Sequence, residues 1–300
     1  MTQSYLHWDV FTGERFFGNQ LAVFTDARGL DTATMQRMTR EMNFSESTFV
    51  LPAESPETDV RMRIFTPTQE LPMAGHPTIG TTFALAHTGV LAPGRPRVVF
   101  GLNVGPTPVD LEWRETQLAF AWMTQGLPQF GPALQERALV ASTLGLGVAD
   151  LMDGVPVQAV SCGFPVLLVP IRDRDAVDRA VSDAAAFRRL TARLGQMLPV
   201  LLFAVLPQGG EATVYSRLFA PEFGIIEDPA TGGATGPLGC YLVQHGLVGV
   251  AAAGSMLSLQ GVAMGRRSRL HISIDGAPDA ITGVRVGGEA VLVGRGELYL

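Results

Sequence analysis

The sequence predicts an α/β protein made of two similar halves. A segment of strand, turn, Xaa-Pro and apolar helix occurs twice in the same order. Gly 34 and Pro 20 in 300 residues favour many short strands and turns over long helices. Hydrophobic residues at 47% against 17% charged supply enough apolar material for packed cores.

The elements follow from local patterning. Leu6 to Phe24 reads as two strands joined by a turn around Gly13 and Gly18. Asp31 to Met42 reads as a helix with Asp31 as N-cap, and Met35, Met38 and Met42 recur at helical spacing, a core stripe. Strands are expected at 48–51 and 60–65, the second from the alternation of Val60, Met62 and Ile64 with Arg61 and Arg63. An apolar helix is expected over Pro77–Thr88, with strands at 98–109 and 111–123. A Pro/Gly-marked stretch at Gln125–Pro132 puts the domain boundary just before it, near Leu118. This gives an N-terminal domain of 1–118, joined by the last strand at about 290–300, and a C-terminal domain of 119–289. The second half is expected to hold helices at 133–144, 176–194 and 229–245 and strands at 155–160, 166–170, 200–206 and 213–219.

Composition excludes several classes. The net charge of −6 and the absence of an Arg-rich run argue against a nucleic-acid or membrane-surface partner. The pair Arg266-Arg267 with Arg269 reads as a solvated strand end. Gly246–Gly265 carries no charge, but Ser255, Ser258, Gln260 and several glycines interrupt it, so buried strands are expected and not a membrane span. No basic-then-apolar leader opens the sequence, and a cytoplasmic location is expected. The five histidines show no paired ligand spacing, so a metal site is not expected. Cys162 and Cys240 read as small buried residues.

The repeat also carries the chemistry. Arg63-Ile-Phe-Thr-Pro67 resembles Arg217-Leu-Phe-Ala-Pro221, and His76-Pro-Thr-Ile-Gly80 resembles Asp228-Pro-Ala-Thr-Gly232. Proline suits a first helical turn, so His76 and Asp228 are expected as caps of two buried helices, facing each other across one cleft. Helix N-termini attract small anions and stabilise developing negative charge. Taken alone, Asp228 is an ordinary cap, His76 a satisfied turn residue and Glu46 an exposed loop carboxylate.

Asp9-Val-Phe-Thr12, Gly18-Asn19-Gln20, Glu41-Met-Asn-Phe-Ser-Glu46-Ser-Thr-Phe-Val50, Glu70-Leu-Pro72, Gly75-His-Pro-Thr78, Glu227-Asp-Pro-Ala-Thr-Gly232, Gln260-Gly261, Met264-Gly-Arg266 and Ser268-Arg269 together resemble the PhzF-like family of phenazine-biosynthesis isomerases. The resemblance runs nearly end to end. It implies the diaminopimelate-epimerase-like fold: two similar domains, each a curved, mostly antiparallel sheet wrapped around a central helix. It also implies a homodimer and an isomerase that, without metal or organic cofactor, moves a proton between carbons of a small cyclic acid, such as trans-2,3-dihydro-3-hydroxyanthranilate. Glu46 would carry the proton, with His76 and Asp228 assisting. Ser45, Gly75, Gly232 and Gly233 would contact a small anionic substrate. Phe44 and Phe49 are candidate apolar walls that would raise the Glu46 pKa. The fold's racemases place cysteines at the two helix starts, whereas this chain has His76 and Asp228. Gly233 stands where the phenazine enzyme has serine, Gln20 where proline is frequent, and Leu259 and Arg267 also depart from the pattern. Two alternatives stay open: an epimerase or racemase with a non-thiol acid and base, and a non-catalytic small-anion binding protein.

Overall fold

The computed structural model describes residues 2–300 and divides into two compact units. The first comprises the residues through Gln125 together with Arg285–Leu300, the second Gly126–Val284. The division falls past Leu118 because that residue lies inside a strand paired on both sides within the first unit.

The first unit opens with β1 (Thr2–Val10), β2 (Asn19–Phe24), α1 (Thr32–Met42), β3 (Glu46–Pro52), β4 (Val60–Phe65) and β5 (Glu70–Leu71). It continues with α2 (Gly75–His87), β6 (Arg97–Leu102), β7 (Gly105–Arg114) and β8 (Gln117–Thr124). The second holds β9 (Gln129–Leu134), α3 (Arg137–Thr143), β10 (Val157–Ser161), β11 (Pro165–Pro170), α4 (Arg174–Arg179) and α5 (Ala184–Leu194). After these come β12 (Val200–Val205), β13 (Val214–Ala220), β14 (Ile225–Asp228), α6 (Gly232–Gln244), α7 (Val250–Ala253), β15 (Met256–Gln260) and β16 (Ser268–Ala277). The chain ends with β17 (Ala280–Gly288), which runs across the division, and β18 (Ala290–Tyr299), which returns to the first unit.

The ladders show a duplication. In the first unit β1 pairs antiparallel with β2, β2 parallel with β3, β3 antiparallel with β4, β4 parallel with β6, and β6 antiparallel with β7. In the second, β10, β11, β12, β13, β15 and β16 repeat that order and those directions. A parallel pair needs a long crossover. Helices fill each one: α1, or α4 and α5, in the first crossover, and α2 or α6 in the second. β18 flanks β1 as β9 flanks β10.

Helices α2 and α6 each have 13 residues, of which 11 are buried. Helices apolar on every face need neighbours on every face. Strands β1, β2, β3, β8 and β18 surround α2, and β10, β11 and β16 pack on α6. Glycines let the backbones approach. A Cβ on Gly80 would lie 2.6 Å from both Leu21 Cδ2 and Val10 Cγ2, and one on Gly239 would lie 2.4 Å from Ile272 Cγ2.

The ladder register corrects the sequence alignment of the two halves. Ile64 is opposite Leu71, and Leu218 is opposite Asp228. Asp228 therefore corresponds to Leu71, Glu227 to Glu70, Gly232 to Gly75 and Gly233 to His76. His76-Pro77 and Asp228-Pro229 are similar short motifs at different register positions. Neither residue is an N-cap: Ala74 caps α2, with His76 as its second residue, and Thr231 caps α6, three residues after Asp228.

Three further expectations change. Residues 133–134 belong to β9 and pair with Gln158 and Val157, so only 137–143 are helical. The helix expected over 176–194 is two, because Asp183 caps a new start by accepting from the Ala185 and Ala186 amides. The strand expected over 98–109 turns back on itself, with Leu102 paired to Gly105.

Replacing Gly239 with valine should lower the unfolding free energy by about 1–3 kcal/mol through overpacking against Ile272. Urea unfolding measures this, and a variant as stable as the parent would contradict the close approach.

Candidate active site

Helix α1 ends at Asn43, which takes the left-handed conformation (φ 51°), and three residues later β3 begins at Glu46. Asparagine tolerates that turn better than most residues. Gly18, at φ 66°, leads into Asn19; a Cβ there would lie 2.3 Å from the Val10 carbonyl oxygen, so the turn requires glycine. Asn19, Glu46 and His76 thus come from the starts of β2, β3 and α2.

These residues and Ser45 form a continuous polar chain. Ser45 Oγ donates to Asn19 Oδ1 at 2.9 Å, and Asn19 Nδ2 lies 3.2 Å from His76 Nδ1. His76 Nε2 lies 3.5 Å from Glu46 Oε2. Glu46 is 7% exposed and His76 2%. Burial pushes the His76 pKa down to about 3, while a hydrogen bond with the Gln20 backbone pulls it the other way. The imidazole is therefore neutral at physiological pH, and its contact with Glu46 is a polar one between a neutral ring and a carboxyl group.

Strand alternation decides what surrounds Glu46. Thr48, on the same face, bonds Thr81 of α2 at 2.8 Å. Leu21, the register partner of Glu46, packs toward Gly80 on that side. Phe49 points to the other face, stacked on Phe24 at 4.7 Å and packed near Met35 and Met38 of α1. Phe49 is therefore not a wall for Glu46, and the Phe44 ring is engaged by His7 at 4.7 Å. Gly75, the first residue of α2, is buried next to His76.

The second unit holds its own polar cluster. Asp228, 4% exposed, closes β14 and accepts a short hydrogen bond from the Thr231 hydroxyl. Gln260, fully buried, donates from Nε2 to the Asp228 backbone oxygen at 2.7 Å and to Thr231 Oγ1 at 3.0 Å, and its Oε1 accepts from the Thr231 amide at 3.2 Å. Gly232 and Gly233 open α6. A Cβ on Gly233 would meet nothing within 4 Å, so the space beside this turn is open.

Sequence reasoning assigned Glu46, Ser45, His76 and Gly75, which share the first unit, and Asp228, Gly232 and Gly233, which share the second. It missed Asn19, Thr231 and Gln260. Each stood within a quoted motif, and the available signal was a polar residue beside a glycine or proline turn. The cysteines are at neither helix start: Cys162 and Cys240 are buried free thiols 3.8 Å apart, and their mutual contact together with burial pushes the Cys162 pKa up. Among the described residues no cluster suited to a metal ion occurs, and no helix is long and apolar enough to cross a membrane.

The family model described as phenazine biosynthesis-like protein matches residues 8–296. The chain belongs to this family. It is 35% identical over 298 residues to trans-2,3-dihydro-3-hydroxyanthranilate isomerase of Pseudomonas aeruginosa, covering 99% of each chain. It is 32% identical over 295 residues to an uncharacterized isomerase of Clostridium acetobutylicum, covering 97% of this chain and 96% of that one. The crystal structure of a PhzF-family phenazine biosynthesis protein from Bacillus anthracis superposes with a TM-score of 0.88 at 27% identity, covering 100% of both chains. The diaminopimelate-epimerase-like architecture implied by the sequence is the one observed.

The lowered His76 pKa makes stability depend on pH. The ring is neutral when folded but protonates in the unfolded chain below about 6.5. Its contribution is complete above that pH and is lost as pH falls toward 3, at up to about 1.4 kcal/mol per pH unit. Urea unfolding at pH 7.5 and pH 5 should show a larger acid loss for the wild type than for His76→Gln; equal losses would refute a buried neutral ring.

Proposed function

We propose that this isomerase of the phenazine biosynthesis-like family catalyses a cofactor-free proton shift on a small cyclic carboxylic acid, with Glu46 as the group that removes the proton from one carbon and returns it to another. The observation that carries this reading is the buried Glu46 carboxyl group 3.5 Å from a neutral His76. Base catalysis by a carboxylate requires a group within hydrogen-bond reach of the substrate and poised near the working pH. A buried position beside a neutral imidazole suits that task, because a neutral imidazole does not hold the carboxylate in its charged form. In this reading, Glu46 takes a proton as the substrate's double-bond electrons reorganise, and the same carboxyl group redelivers it at the new position. His76 orients the carboxyl group throughout. Asn19, bonded between Ser45 and His76, keeps the ring in place.

The reading assigns Asp228 to the same reaction as an assisting group that acts by hydrogen bonding. Its hydrogen bond from Thr231 and the Gln260 contacts to the surrounding turn fix its direction. Trans-2,3-dihydro-3-hydroxyanthranilate is the first substrate to test, since relatives bear that name at about one-third identity. The unfilled space at Gly233 favours a substrate that differs from it near the start of α6.

Incubating candidate acids in deuterated water tests the mechanism. Wild-type protein should produce a rearranged product bearing deuterium at one carbon. Glu46→Gln should lose activity by a factor of about 100 or more, as expected when a general base is removed. Full activity in that variant sinks the assignment. Gly233→Ser should fold with unchanged stability and shift kcat/KM between related acids by about 10-fold, the effect of one added polar contact.

A further inference from the structure

We propose that Arg217 and Glu227 are positioning residues for Asp228: their ion pair holds the end of β14 in place and so sets the direction of the Asp228 carboxyl group. The inference rests on the assignment of Asp228 to the proton shift.

Strand β14 has four residues and few ladder contacts. Its register pairs are Leu218 with Asp228 and Ala220 with Ile225, with an irregularity between them, and Ile226 is exposed. Backbone pairing alone holds this segment weakly. Arg217, 8% exposed, supplies the remainder. Its Nε and Nη2 donate to the two carboxylate oxygens of Glu227, each at 2.8 Å. Its Nη1 donates to the backbone oxygens of Val177, Asp178 and Ala180 at 3.1, 3.1 and 2.8 Å. The guanidinium lies 4.8 Å from the Phe219 ring centroid. One side chain thereby ties β13, the end of α4 and the residue before Asp228 into one body. A bidentate pair adds directional constraint that a single hydrogen bond lacks.

The first unit contains the same device at the same register. Arg63 Nε and Nη2 donate to Glu70 Oε1 and Oε2 at 2.8 and 2.5 Å, and the guanidinium lies 5.0 Å from the Phe65 centroid. Glu70 precedes Leu71, the counterpart of Asp228, and the segment runs on to His76. The two units differ at the positions that bear chemistry but share the clamp that precedes them.

The test uses Glu227→Gln and Arg217→Lys, each alone and combined with Asp228→Asn. Thermal melting confirms folding, and the milder Arg217→Lys, which keeps the charge, stands in should Glu227→Gln fail to fold. Amide hydrogen exchange over residues 225–233 needs no substrate and should quicken by about tenfold or more in either variant. With trans-2,3-dihydro-3-hydroxyanthranilate, kcat should fall by about tenfold with little change in KM, the signature of a misplaced group. In the Asp228→Asn background the same substitution should cost almost nothing more, because its effect passes through Asp228. Unchanged exchange overturns the clamp. An equal loss of kcat in both backgrounds overturns the positioning role. Full activity of Asp228→Asn overturns the functional assignment on which the proposal rests, whereas the exchange measurement still decides whether the pair holds β14.

Discussion

Each unit is organised by one constraint, a short helix that is apolar on all sides and must be enclosed on all sides. Helices α2 and α6 present no face suited to water, with 11 of 13 residues buried in each. A flat sheet covers one side of a helix, so the strands have to curve around it. The two parallel crossovers bring strands from both flanks to the same helix, and Gly80 and Gly239 let backbone and sheet meet at distances that any side chain would prevent. The polar clusters sit at the helix starts, where the enclosed helix still has unfilled backbone hydrogen-bonding capacity.

Much of this was legible in the sequence. The strand at 60–65 followed from its alternation, and α1 followed from its cap and methionine stripe. The two central helices stood out as apolar runs. Other features depend on contacts that no local pattern encodes. The helix expected over 176–194 is apolar enough to continue, yet Asp183 restarts it. His76-Pro77 and Asp228-Pro229 look alike in sequence, and only the pairing of Leu71 with Ile64 and of Asp228 with Leu218 sets the true equivalence of the halves. Phe49 lay close to Glu46 in sequence, but strand alternation sends it to the opposite face. Asn19, Thr231 and Gln260 entered the clusters through contacts between residues distant in sequence, as with the 29 and 32 positions that separate Gln260 from its partners.

The corrected register also shows how far the two units have diverged in role. Phe65 lies opposite Ser47, and Phe219 opposite Val200, so the place of Glu46 is taken in the second unit by Pro199. His76 corresponds to Gly233, and Leu71 to Asp228. The scaffold and the Arg-Glu pair that precedes each central helix are duplicated, and the polar groups at the helix starts are not: Glu46 and His76 stand in one unit, and Asp228 with Thr231 and Gln260 stands in the other. Two-base chemistry between matched groups would call for like residues at like positions. The observed positions carry unlike residues: Glu46 against Pro199, His76 against Gly233 and Leu71 against Asp228.

The return of β18 to lie beside β1 has a consequence for synthesis. The first unit borrows its outer strand, and the Arg285–Gly288 stretch beside β8, from the far end of the chain. On the ribosome, the second unit has all its strands before the first has its last. Until β18 emerges, β1 presents an unpaired edge, the kind of surface on which nascent chains pair with one another. Of the two units, the one whose strands emerge earlier is therefore the one completed later, and Glu46 lies within it.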